Sequence, residues 1–190
     1  MIEIDGSLGE GGGQILRTSL SLSLVTGIPF RMDKIRAGRE RAGLLRQHLA
    51  AVLAAAEIGD AAVDGTFLGS TSLTFTPGTI KAGRYHFAVG TAGSATLVLQ
   101  TILPALMTAN EPSQVIIEGG THNQAAPPFE HLADQLLLPL TLAGSGSFTT
   151  GKLSSHAQTN MAVIKQFLPV GFTIDESDDC VRIAVVANQR

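Results

Sequence analysis

The order of its segments constrains this chain most. Residues 1–77 read as strand, glycine loop, helix, strand, helix, strand, strand, and the same order begins again near residue 85. Strands that alternate with helices in this way build layered α/β folds. The first run opens with a strand at 2–5 and a loop holding Gly6, Gly9, Gly11, Gly12 and Gly13. From Gln14 to Val25, Leu20, Leu22 and Leu24 alternate as in a strand, while Leu16, Leu20 and Leu24 fit a helical stripe. The stop signal Thr26-Gly27-Ile28-Pro29 favours a helix. A strand at 30–35, a helix at 42–58 and strands at 61–66 and 72–76 complete the run. The second run reads as a strand at 85–89, a helix at 94–108 capped by Ser94, a strand at 113–118 and a helix from Pro128 to Leu142. A strand at 147–152, a helix at 155–167 and strands at 171–175 and 181–187 follow. The expected fold is α/β, built of tandem strand-helix-strand-helix-strand-strand units, with a first repeat at 1–80 and the rest of the repeats at 81–190.

Composition narrows the function. Charged residues are 15% of the 190, against about 25% in ordinary globular domains, so an uncommonly neutral surface or a covering partner is expected. Net charge is −3, which gives no general basic field for nucleic acid. Any phosphate binding must come from a local cluster. A lone Cys180 excludes an internal disulfide and a cysteine zinc cluster. The acidic start, Met1-Ile2-Glu3-Ile4-Asp5, does not resemble a signal peptide. Gln100 and Pro104 interrupt the longest apolar segment, 95–109, which is too short to span a bilayer. A cytoplasmic protein with no membrane partner is expected.

Four segments carry possible chemistry. Gly9-Glu10-Gly11-Gly12-Gly13-Gln14 precedes a helix, where glycine backbone N–H groups form an anion-binding concavity. It is not the dinucleotide fingerprint, which needs glycine where Gln14 stands. Arg36, Arg39 and Arg41, with Arg46 and Gln47 close behind, form a basic cluster at a strand end, and arginine forks onto phosphate oxygens. Gly146 to Leu153 nearly spells a phosphate-binding loop, but Leu153 stands where Ser or Thr is required, and the match is read as coincidence. His156 follows Ser154 and Ser155 in the first turn of a helix, whose positive end favours an uncharged, nucleophilic imidazole. His48 lies on the inner stripe of its helix and reads as structural. His86 and His122 show no metal-ligand spacing.

Taken together, Gly9 to Arg17, Ile35 to Arg39, Gly43 to His48, Ala126-Pro127-Pro128, Leu132 to Gln135 and His156 with Thr159-Asn160 resemble the RNA 3′-terminal phosphate cyclases, in family order and over nearly the whole chain. The resemblance implies ATP-dependent conversion of an RNA 3′-phosphate to a 2′,3′-cyclic phosphate through a histidine–AMP intermediate, with His156 as nucleophile. It implies that Gln100, Pro127, His131, Leu132, Ala133, Asp134 and Gln135 belong to the nucleotide site. Glu10, Gln14, Arg17, Arg36, Arg39 and Gln47 fall near the phosphates and the RNA end. A divalent ion, magnesium or manganese, is expected with the ATP, and no residue is singled out to hold it.

Members of that family are longer, with three repeats and an inserted domain. Here the second helix of repeat two and the first helix of repeat three fuse near Glu130/His131, and everything between them is absent. Apolar faces once covered by the missing strands are then exposed, which favours homo-oligomers. The alternative reading is a catalytically impaired or non-catalytic remnant that binds RNA or a partner. A third, weaker likeness is to the enolpyruvyl transferases.

Overall fold

The computed structural model describes residues 1–9, 11–90, 93–120, 128–178 and 180–187, with the backbone alone at 128–132 and 187. The elements are β1 (Ile2–Asp5), α1 (Gly13–Thr26), β2 (Phe30–Asp33), α2 (Arg46–Ile58), β3 (Ala62–Asp64), β4 (Leu73–Thr76), β5 (Arg84–Ala88), α3 (Ala95–Leu106), β6 (Gln114–Glu118), α4 (Pro128–Leu142), β7 (Gly146–Thr150), α5 (Ser155–Phe167), β8 (Val170–Glu176) and β9 (Val181–Ala187). The expected α/β architecture is present, and packing divides the chain into two units, Met1–Asn123 and Gln124–Arg190.

In the first unit a four-stranded sheet runs β1-β2-β4-β3, parallel between β1 and β2 and antiparallel elsewhere. Side chains alternate across a strand, so Phe30, Met32, Leu73 and Phe75 all point to the buried face. The rings of Phe30 and Phe75 stack with centroids 5.8 Å apart. Helix α1 packs over this sheet and against α2 and α3. It is buried from Thr18 to Leu24 without a break, because α3 covers the side that a surface helix would leave wet. Its serines enter the core with their hydroxyls satisfied: Ser19 donates to the Ile15 carbonyl and Ser21 to the Thr101 carbonyl of α3. A buried hydroxyl without such a partner costs a few kcal/mol. Strands β5 and β6 pair in parallel as the second sheet, joined through α3.

The second unit holds an antiparallel sheet, β7-β9-β8, with α4 and α5 packed together beside it. Leu137, Ala157, Val163, Ile164 and Ile183 form its core. Its strand order and directions repeat those of β2-β4-β3, and the parallel pair β5-β6 repeats β1-β2. Among the described residues, the β5-β6 sheet has no counterpart of β3 and β4, and the third sheet has none of β1.

The helix expected at 42–58 begins only at Arg46. The preceding residues are engaged in extended pairing: Leu44 N donates to the Ser70 carbonyl and Gly69 N to the Leu44 carbonyl. Gly43 has φ +78°, and a side chain there would collide with the Gly69 carbonyl. The near phosphate-binding loop is strand β7 followed by a bend, which agrees with its reading as coincidence.

Candidate functional site: a donor cradle and a histidine helix

In the first unit the glycine loop links β1 to α1. Asp5 shapes its start, accepting from Ser7 N at 2.9 Å and Lys34 Nζ at 2.7 Å. These bonds hold the Asp5 carboxyl well below the ordinary carboxylate range. Gly11 N closes a turn onto the Leu8 carbonyl. The cap position of α1 is Gly12, which offers no side-chain acceptor. The leading N–H groups of a helix have no partner within it and attract anions.

Two side chains approach this helix start, and the charge of Arg36 reaches one of them. A Cβ added at Gly13 would strike the His48 ring, with Cδ2 at 2.6 Å, and would lie 3.1 Å from Arg17 Nη1. Glycine alone permits that approach. His48 is 1% exposed, and its Nδ1 accepts from Leu45 N at 3.2 Å at the head of α2. That bond leaves the ring proton on Nε2, beside Gly13. Burial, with the charges of Arg36 and Arg17, pulls the His48 pKa down to about 3, so at neutral pH the ring is an uncharged donor. Arg36 has φ +56°, like Lys34, a conformation that costs a non-glycine residue energy and clusters at functional sites. Its Nε is buried with no hydrogen-bond partner among the described residues. Burial and the charge of Arg39 lower the Arg36 pKa. Each of these groups is a donor, the array expected to receive an anion.

The residues expected near the phosphates and the RNA end fall as follows. Gln14 and Arg17 lie in the first turns of α1, both half-buried. Arg36 is half-buried and Arg39 exposed on the turn after β2, and Gln47 is half-buried in the first turn of α2. Glu10 lies outside the described residues. The structure adds His48, which sequence reasoning read as merely structural. Its signal was present in the pattern: a histidine at the third position of a helix that follows an arginine cluster. Gln100 is half-buried on α3.

In the second unit, Ser154 caps α5, accepting from Ala157 N at 3.1 Å. This places His156 in the first turn, half-buried. One turn on, Asn160 is 4% exposed and donates from Nδ2 to the Asp134 carbonyl of α4 at 2.7 Å. Residues four apart share a helix face, so His156 lies on the face of α5 that Asn160 fixes to α4. Ala133 and Asp134 are buried and Gln135 is exposed. His131 and Leu132 lie in α4, where only the backbone is described, and Pro127 lies outside the described residues. Among the described residues no group of three or more His, Cys, Asp or Glu is placed to hold a metal ion, and no helix is long and apolar enough to cross a membrane.

The family model described as RNA 3′-terminal phosphate cyclase matches residues 8–132 and, separately, 130–174. The chain is similar to the protein named RNA 3′-terminal phosphate cyclase in Koribacter versatilis, 38% identical over 341 aligned positions that take in 100% of this chain and 96% of that one. The chain has 190 residues, so 151 of those positions (341 minus 190) face no residue here. It is 63% identical to the protein of that name in Ralstonia nicotianae over 131 residues, 69% of this chain and 38% of the relative. With the one in Ectopseudomonas mendocina the identity is 61% over 139 residues, 73% of this chain and 40% of the relative. The chain therefore spans well under half the length of those two relatives. On these matches it belongs to the RNA 3′-terminal phosphate cyclase family.

Proposed function

We propose that the chain uses ATP to convert an RNA 3′-phosphate into a 2′,3′-cyclic phosphodiester. The observation that carries this is the donor cradle around Gly13, where a helix start meets Arg17 and uncharged His48, with Arg36 close enough to act on the His48 ring. It suits a terminal phosphate, with Gln14, Arg39 and Gln47 on the same three segments, and Glu10 is proposed to act with them. His156 is the nucleophile. A ring nitrogen forms a bond to the α-phosphorus of ATP, and the bond to pyrophosphate breaks. AMP then passes to an oxygen of the RNA 3′-phosphate, freeing the histidine. The neighbouring 2′-hydroxyl attacks that phosphorus, loses its proton, and AMP leaves. Gln100, Pro127, His131, Leu132, Ala133, Asp134 and Gln135 hold the nucleotide, and a magnesium or manganese ion arrives on the triphosphate. The setting is the cytoplasm.

The same reading takes α4 as a fusion of two family helices near Glu130/His131, with 1–80 as one repeat and 81–190 as a hybrid of two. The separate family matches that meet at 130–132 and the repeated, incomplete sheet orders support it. Leu99, Leu103 and Met107 are exposed at four-residue intervals from α3 into the turn beyond it, and Ile116 is exposed on β6. Apolar surface of this kind favours a homo-oligomer. The incomplete sheets also favour a second reading, a non-catalytic RNA-binding remnant. Incubating the chain with ATP and an oligoribonucleotide bearing a 3′-phosphate separates the two. Formation of the cyclic end supports the enzyme. Binding without cyclisation supports the remnant.

A further inference from the structure

A groove of about 720 Å³ opens beside Gln47, within the first unit. Leu44 and Leu45 line it together with Leu68, while Arg41 and Arg46 join Gln47 along it. The groove is held rigidly, because the pairing of Leu44 with Gly69 and Ser70 ties one wall to the other. Leu68 is 53% exposed, and Phe67 beside it is 63% exposed, an unusual pair of apolar groups at a hairpin tip. Arg41 and Arg46 are exposed and pair with no carboxylate among the described residues. They are cations left uncommitted in a chain of net charge −3. Gln47 lines the groove, and His48, the next residue on α2, faces Gly13 in the cradle.

We infer that this groove is the track for the nucleotides that precede the terminal phosphate of a single-stranded RNA. The inference rests on the proposed function, since it takes the Gly13 cradle as the seat of the RNA end. Arg41 and Arg46 neutralise the upstream phosphodiesters, and Leu45 and Leu68 receive the face of a base. Single-stranded nucleic acid is held by a cationic groove that tracks its backbone, and the branched leucine side chains add apolar contact to the base faces. Leu45 and Leu68 offer no hydrogen-bonding side chain to a base edge, so their contacts carry no sequence information.

The test compares the full chain with the variants Arg41→Gln/Arg46→Gln and Leu68→Ser, all at exposed positions that leave the fold intact. The ligands are uridine 3′-monophosphate and oligouridylates of two and four nucleotides bearing a 3′-phosphate. Affinity of the native chain is expected to rise about tenfold or more from one nucleotide to four, and the arginine variant to lose that rise while binding the mononucleotide as before. The slope of log affinity against log salt should fall by about 0.7 for each arginine contact removed. Leu68→Ser should reduce the rise without changing the salt slope. Affinity independent of length in the native chain, or a length dependence that survives in the arginine variant, overturns the track and leaves the cradle standing. Failure of every 3′-phosphate, the mononucleotide included, to bind overturns the proposed function and the track with it.

Discussion

His48 is where burial and charge bear most directly on one side chain. It is uncharged in the folded state because it is buried and faces the charges of two arginines. Unfolded, the ring titrates near its ordinary value of 6.5 and takes up a proton that the native state refuses until about pH 3. The unfolded chain therefore binds more protons between these values, and stability falls as pH drops through that window, by about 1.4 kcal/mol per unit at most. Urea unfolding from pH 7 to pH 4 should show this loss in the native chain and a shallower one in His48→Gln. Equal slopes would show that His48 is not the titrating group. Asp5 and Asp33 have lowered values and act in the same direction, so the variant is the necessary control. The neighbouring prediction concerns Gly13→Ala. The new methyl group meets the buried imidazole, and overpacking of this kind costs about 1–3 kcal/mol. Stability and binding of an RNA 3′-phosphate end should both fall, as read by urea unfolding and fluorescence anisotropy. Native-like binding in the variant would remove the cradle from the account.

Among the elements, the contact between α4 and α5 rests on a buried side-chain amide. Asn160→Ala removes the 2.7 Å bond to the Asp134 carbonyl, at a cost of about 0.5–1.5 kcal/mol. The urea midpoint of the second unit should fall accordingly, and an unchanged midpoint would show that packing alone joins the helices. Most elements were legible in the sequence because glycine, proline and cap residues mark their ends. Ser94 caps the helix that it was expected to cap. Periodicity alone was ambiguous at α1, whose leucines alternate with serines. The reason is physical: a helix buried on all sides has no wet face to reveal its period, and its serines bond to backbone carbonyls instead of water. The start of α2 was misjudged because residues 43–45 pair with 69–70, a contact that local pattern does not record. His48 is buried, as its place on the inner stripe implied, and its contact with Gly13 of another element is one that local pattern does not record.

At the scale of the whole molecule, sheets that repeat one another incompletely leave edges where the first sheet has neighbours. Among the described residues, strand β6 has no antiparallel partner of the kind that β4 gives β2, and Ile116 on it is 53% exposed. With so few charges on the chain, such edges favour self-association. Light scattering after gel filtration should find dimers or larger species whose fraction grows with concentration, and Ile116→Lys with Met107→Glu should shift them toward monomer. A monomer at every concentration would contradict that expectation. The central claim is covalent chemistry at His156, and the most direct measurement is incubation of the chain with α-³²P ATP beside a full-length relative. The account predicts label on the protein, released by an RNA 3′-phosphate and lost in His156→Asn. An unlabelled chain beside a labelled relative would contradict it.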